Sequence, residues 1–203
     1  LNIKDKQANN AIPYAVFLDE DMVNHSDFSM LNSKTPPVDS NKYYPGLVKF
    51  LKKFEVDTGL PICFAAHPKI SHHNLHNLSN LLQGIKCSIG NTAELVKNSK
   101  IVLLHASTSM SFAVLFRKPA VFLTSNELEQ SWIGPRIKDF AKLMNSQIIN
   151  ISDELNKPLD IERLSKIDED KYKYYLDEYI KMPNSPDLPL WKIFTNYISN
   201  NKI

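Results

Sequence analysis

Cysteine is scarce in this chain. Cys63 and Cys87 are the two among 203 residues, and both sit in apolar, strand-like surroundings. A disulfide framework needs more of them in a smaller chain, so they read as buried, reduced thiols of a cytosolic protein. Long apolar runs are also missing. None approaches the roughly 20 residues of a membrane-spanning helix, and the opening LNIKDKQANN lacks the apolar core of a signal peptide. Excess charge of either sign is absent: 24 basic against 22 acidic residues leave a formal +2. Without a dense basic run there is no electrostatic footprint for nucleic acid, and only a local basic pocket for a phosphate stays open. The first residue is Leu1 and not Met, so we expect a fragment or processed chain whose functional unit extends beyond it.

What is present suffices for a full core. At 43% hydrophobic content the chain can build one α/β domain of roughly 150 residues plus appendages. The stretch KIVLLHASTSMSFAVLFRKPAVFLT, residues 100–124, organises the rest. An apolar run at 101–104, a hydroxyl cluster (Ser107, Thr108, Ser109, Ser111), an amphipathic segment, Lys118-Pro119 and a second apolar run at 120–123 follow one another. That order predicts buried strand, loop, helix and buried strand, a βαβ unit of a parallel sheet. The hydroxyls fall where strand hands over to helix, the edge of such a sheet where anions bind.

Other elements follow the same alternation. Strands are predicted at 14–18, 60–66, 86–89 and 147–151, helices at 43–57, 75–82 and 132–144, and a further helix carrying Leu95 and Val96 that Asn91 or Thr92 caps. Residues 1–12 read as a linker or frayed start, 24–42 as a loop long enough to be functional, and 125–131 as a plain loop. Beyond 152 the composition turns charged and helical, with helices expected at 160–164, 169–179 and 191–198. The expected architecture is a doubly wound, Rossmann-like parallel sheet of five or six strands over 13–152, followed by a C-terminal helical extension over 153–203.

Three acidic residues, Asp19, Glu20 and Asp21, follow the first strand. They suit a metal or a base, but a solvated turn is the simpler reading. His72, His73 and His76 form a histidine-rich loop with one i, i+4 pair. No cysteine or acidic residue lies close by to complete a tetrahedral site, so no metal is expected. His67 is the better candidate, because it ends a strand and Pro68 fixes the turn after it. Two segments, Ala66-His67-Pro68-Lys69 and His105-Ala106-Ser107-Thr108-Ser109, therefore belong on one rim of the sheet. A helix opening on Ser-Thr-Ser would offer N–H donors, hydroxyls and a positive dipole end to a phosphate, with His67 and Lys69 adding charge-assisted contacts.

From about residue 14 to 151 the chain resembles the C-terminal, donor-binding half of a GT-B glycosyltransferase. The likeness is carried by NTAELVKNSKIVLLHASTS followed by FAVLFRKPAVFL, a small-residue loop opening a helix and a Lys-Pro before the next strand. The pairing of His67-Pro68 with Ser107-Thr108-Ser109 is similar to the His-Pro and Ser-Ser or Ser-Thr motifs of bacterial sialyl-, polysialyl- and Kdo-transferases of capsule and surface-carbohydrate synthesis. The resemblance implies that His67 contacts the phosphate of a CMP-sugar and stabilises the departing nucleotide, with Ser107, Thr108 and Ser109 as the phosphate cradle and His105 beside them. It also implies a glycan acceptor, no cofactor beyond the sugar nucleotide, an N-terminal half that supplies the general base, and a place in the cytoplasm or at the inner face of the membrane. One departure stands out: UDP-sugar enzymes of this kind carry an acidic residue in the helix after the small-residue loop to grip the ribose, and here Phe112 occupies that region. Asn91, Thr92 and Glu94 are the substitutes on the preceding loop. Two rivals remain: a nucleotide-sugar epimerase of the same architecture using Asp19, Glu20 and His105, and a non-catalytic interaction module with an exposed apolar patch near its C-terminal helices.

Overall fold

In the computed structural model, residues 12–25, 28, 35–153 and 158–200 are described, without the side chain of His72. The linker expected at 1–12 lies outside them except for Ile12, as do residues 26, 27 and 29–34 of the loop expected at 24–42. Six parallel strands form one sheet: β1 (Ala15–Leu18), β2 (Ile62–Ala65), β3 (Lys86–Ser88), β4 (Ile101–Leu104), β5 (Ala120–Thr124) and β6 (Ile148–Asn150), in the order β3-β2-β1-β4-β5-β6. The order runs outward from β1 in one direction and from β4 in the other. Because right-handed crossovers are near-universal, the two runs place their helices on opposite faces of the sheet. This is the doubly wound, Rossmann-like arrangement, and its direction reverses between β1 and β4.

The four central strands are buried on both faces, as continuous apolar runs require. Phe17, Phe54, Phe64 and Phe122 are the largest fully enclosed side chains. Register ties Ala15 to both Ile62 and Ile101, so β1, β2 and β4 end level at Leu18, Ala65 and Leu104. Their loops therefore emerge side by side.

Helix boundaries follow local caps. Helix α1 (Ser40–Thr58) begins three residues earlier than the periodicity indicates, because the Asp39 side chain accepts the N–H of Asn41. It ends where Gly59 takes the left-handed conformation, φ 69°. Helix α2 (His72–Leu81) absorbs what the sequence presents as a histidine-rich loop, since Ser71 accepts the N–H of Asn74 and caps it. His73 and His76 lie exposed on this helix. Helices α3 (Thr92–Asn98) and α4 (Met110–Leu115) flank β4. A further correction is α5 (Asn126–Gln130), a five-residue helix where a plain loop is expected, capped by Ser125 on the N–H of Leu128. Helix α6 (Gly134–Leu143) follows with Pro135 in its first turn.

The C-terminal extension splits in its packing. From α7 (Ile161–Leu164) and α8 (Glu169–Tyr175), Leu164, Tyr172 and Tyr175 join the same core. The Tyr172 hydroxyl donates to the Lys118 carbonyl at 2.7 Å and accepts the N–H of Ala120 at 3.1 Å, which clamps α8 to the start of β5. A π-helical turn, Leu176–Ile180, continues α8. The last helix, α9 (Leu190–Asn200), buries no residue and exposes Trp191, Phe194, Tyr197 and Ile198. Among the described residues no helix is long and apolar enough to cross a membrane.

Candidate functional site

Level strand ends at a topological switch point leave a crevice above the sheet. Here it is a cleft of about 430 Å³, lined from β1 by Asp19, Glu20 and Met22, from β2 by His67 and Pro68, and from β4 by Ala106, Ser107, Thr108 and Ser109. The loop after β1 adds His25 and Phe28, and the start of α6 adds Trp132, Ile133 and Arg136. A larger cavity of about 600 Å³ opens at the amino edge of β5 and β6, between Asn145, Ser146, Gln147, Arg163 and Lys166. It contains none of the residues that the sequence singles out, and it lies on the rim where open α/β sheets do not bind ligands.

The two rim segments predicted to meet do meet. His67 is half-buried at the end of β2, where its Nδ1 accepts the N–H of Lys69 at 3.3 Å. Ser107, Thr108 and Ser109 face it from the β4 side of the cleft. They form the turn before α4 rather than its first turn: Ser109 holds the capping position, and Ser107 Oγ accepts the N–H of Ser109 at 3.2 Å.

Four other candidates lie elsewhere. Lys69 is exposed and absent from the cleft lining. His105 is fully buried beneath it. Its Nδ1–H donates to the Leu123 carbonyl at 2.8 Å, so its Nε2 accepts from the Tyr43 hydroxyl at 2.7 Å. Burial drives its pKa from 6.5 down to about 4, and the ring stays neutral as a core hydrogen-bonding residue packed edge-on against Phe17. Of the three loop residues proposed for the ribose, only Thr92 lines the cleft. Asn91 accepts from the Ser88 hydroxyl at 2.9 Å, and Glu94 is exposed. Phe112 packs on the core, stacked on Phe116.

The acidic trio is no solvated turn. Asp19 and Asp21 are buried. Asp19 accepts the N–H of Asp21 at 3.0 Å through Oδ1 and that of His67 at 3.2 Å through Oδ2. Glu20 Oε1 accepts the N–H groups of Ala106 at 2.7 Å and His105 at 3.2 Å. Two carboxylates just after β1 thus tie down the segments that follow β2 and β4, and they satisfy amides that would otherwise be left unpaired above the sheet. Burial raises Asp19 from 3.8 to about 6 and Glu20 from 4.5 to about 7, against the pull of these hydrogen bonds and, for Glu20, of the Arg136 charge. Asp21 reverses the chain at φ 47°.

Sequence reasoning missed Arg136, Trp132, His25 and Phe28 as cleft residues. The helical period at 132–144 was visible, but which side of that helix faces the cleft depends on the sheet order. Among the described residues no three His, Cys, Asp or Glu side chains gather where an ion could sit. No protein-family model matches the chain, and no curated protein matches it.

Proposed function

We propose that this chain is the donor-binding half of a glycosyltransferase for bacterial surface polysaccharide, and that its cleft holds the phosphate of a nucleotide sugar, a CMP-sugar above others. One observation carries the reading: His67-Pro68 and Ser107-Thr108-Ser109, from different strands, line a single cleft at the switch point of a doubly wound sheet. Arg136 on the same cleft adds a fixed positive charge. An imidazole, hydroxyls and a guanidinium are the groups a phosphate oxygen takes as donors. They act at the leaving group, so catalysis comes from stabilising the departing nucleotide phosphate rather than from a covalent intermediate. A second Rossmann-like half would supply the general base and the glycan acceptor site.

Glu20 qualifies this mechanism. Its carboxylate already holds the amides of His105 and Ala106, so the phosphate sits further out, on His67, the hydroxyls and Arg136. The epimerase alternative takes support from Asp19 and Glu20 on the cleft wall but lacks its histidine, because the His105 ring is turned into the core. The non-catalytic module draws on α9, whose Trp191 and Tyr197 are exposed by 75% and 68%.

Isothermal titration with CMP, CDP and UDP, on the wild type and His67→Ala, tests the donor site. The expected result is CMP binding that weakens by roughly tenfold or more in the variant. No binding by any of the three, or binding indifferent to the histidine, overturns the reading.

A further inference from the structure

The cleft is chemically two-ended. One end carries the hydroxyls of Ser107, Thr108 and Ser109 with His67. Away from it runs a chain of rings: His67 to His25 at 4.7 Å between centroids, His25 to Phe28 at 5.5 Å, and Phe28 to Trp132 at 5.5 Å. These rings come from the loops after β2 and β1 and from the segment before α6. Nothing in the sheet requires them to meet, since Trp132 retains 39% of its surface and contributes nothing to the central core. Trp132 Nε1–H donates to the Thr35 carbonyl at 3.4 Å, which anchors one edge of the indole. An indole tethered at its edge, kept on the wall of a polar cleft and braced by a second ring at 74° to it is a stacking surface rather than a core-filling one.

We propose that the Trp132 indole, with the Phe28 ring set at 74° to it, is the face on which the pyrimidine base of the bound nucleotide stacks. The inference rests on the donor-site reading above, because the phosphate of that nucleotide fixes the other end. A planar π-face matches the aromatic end, and a phosphate matches the hydroxyl and histidine end. A ligand with both explains why one cleft carries both. Stacking of this kind tolerates any base, so the wall contributes affinity for a nucleotide over a sugar phosphate, and the choice among bases falls to other groups.

The chain has two tryptophans, Trp132 and Trp191, so a Trp191→Phe variant reports from Trp132 alone. In that variant CMP is expected to quench the indole emission, whereas ribose 5-phosphate and inorganic phosphate leave it unchanged. Trp132→Leu is expected to weaken CMP roughly tenfold or more while leaving ribose 5-phosphate within about twofold, and Trp132→Tyr restores most of the loss. The Trp191→Phe experiment leaves Trp132 intact and stands even where Trp132→Leu folds poorly. Equal affinity for CMP and ribose 5-phosphate with a silent Trp132 overturns the stacking wall and leaves the phosphate site standing. Binding of none of the three ligands overturns both.

Discussion

The Glu20 carboxylate accepts the backbone N–H of Ala106 at 2.7 Å, across 86 positions of sequence, and so joins the end of β1 to the end of β4 at the point where the sheet reverses direction. The floor of the cleft is built from this bond and its counterpart from Asp19 to His67.

Both carboxyls make stability depend on pH. Asp19 rises from 3.8 to about 6 and Glu20 from 4.5 to about 7. A carboxyl raised in the folded state contributes stability that is full below its unfolded value and is lost as pH climbs through the folded one. For Asp19 the change is roughly 3 kcal/mol; Glu20, only partly buried as a residue, acts in the same direction up to about 7. His105 opposes them, because its contribution is present above 6.5 and is lost as pH falls toward 4. With two groups against one, urea midpoints should be higher at pH 5 than at pH 8, and Glu20→Gln should shrink or reverse the difference. A wild-type midpoint that climbs between those two pH values would contradict the account.

Tyr43→Phe removes the hydroxyl that donates to His105 Nε2 and leaves a fully buried ring nitrogen unsatisfied. The expected cost is about 1–3 kcal/mol in urea unfolding. His105 does not reach the cleft, so nucleotide affinity should not change. A fall in affinity at full stability would place His105 back in the site.

Gly134 opens α6 where an added Cβ would lie 2.7 Å from the carbonyl oxygens of both Leu128 and Glu129. Those atoms are backbone and cannot swing away. Gly134→Ala should therefore cost about 1–3 kcal/mol, read as a lower thermal midpoint. Since α6 carries Arg136 into the cleft, weaker CMP binding should accompany it.

The fold was legible because its signals are local: buried strands announce themselves as apolar runs, and the central β1, β2, β4 and β5 fall close to where the runs lie. Short α5 was not legible, since five residues are too few to show a helical period. The meeting of His67 with Ser107, Thr108 and Ser109 followed from parallel topology alone, which sends all strand ends to one rim. What failed was the fate of single side chains. His105 directly follows β4 and turns inward to Tyr43, while Ser107, two positions on, faces the cleft. Asp19 and Glu20 resemble a solvated turn in sequence because the amides they hold are 48 and 86 positions away.

The central claim is that the two rim segments grip one phosphate, and a double-mutant cycle tests it most directly. CMP affinity would be measured by titration calorimetry for the wild type, His67→Ala, Ser107→Ala and the double variant. The account predicts that each single change weakens binding and that the double variant loses measurably less than the product of the two, because both act on the same group. Failure of the wild type to bind CMP, or affinity unchanged by either substitution, would contradict it.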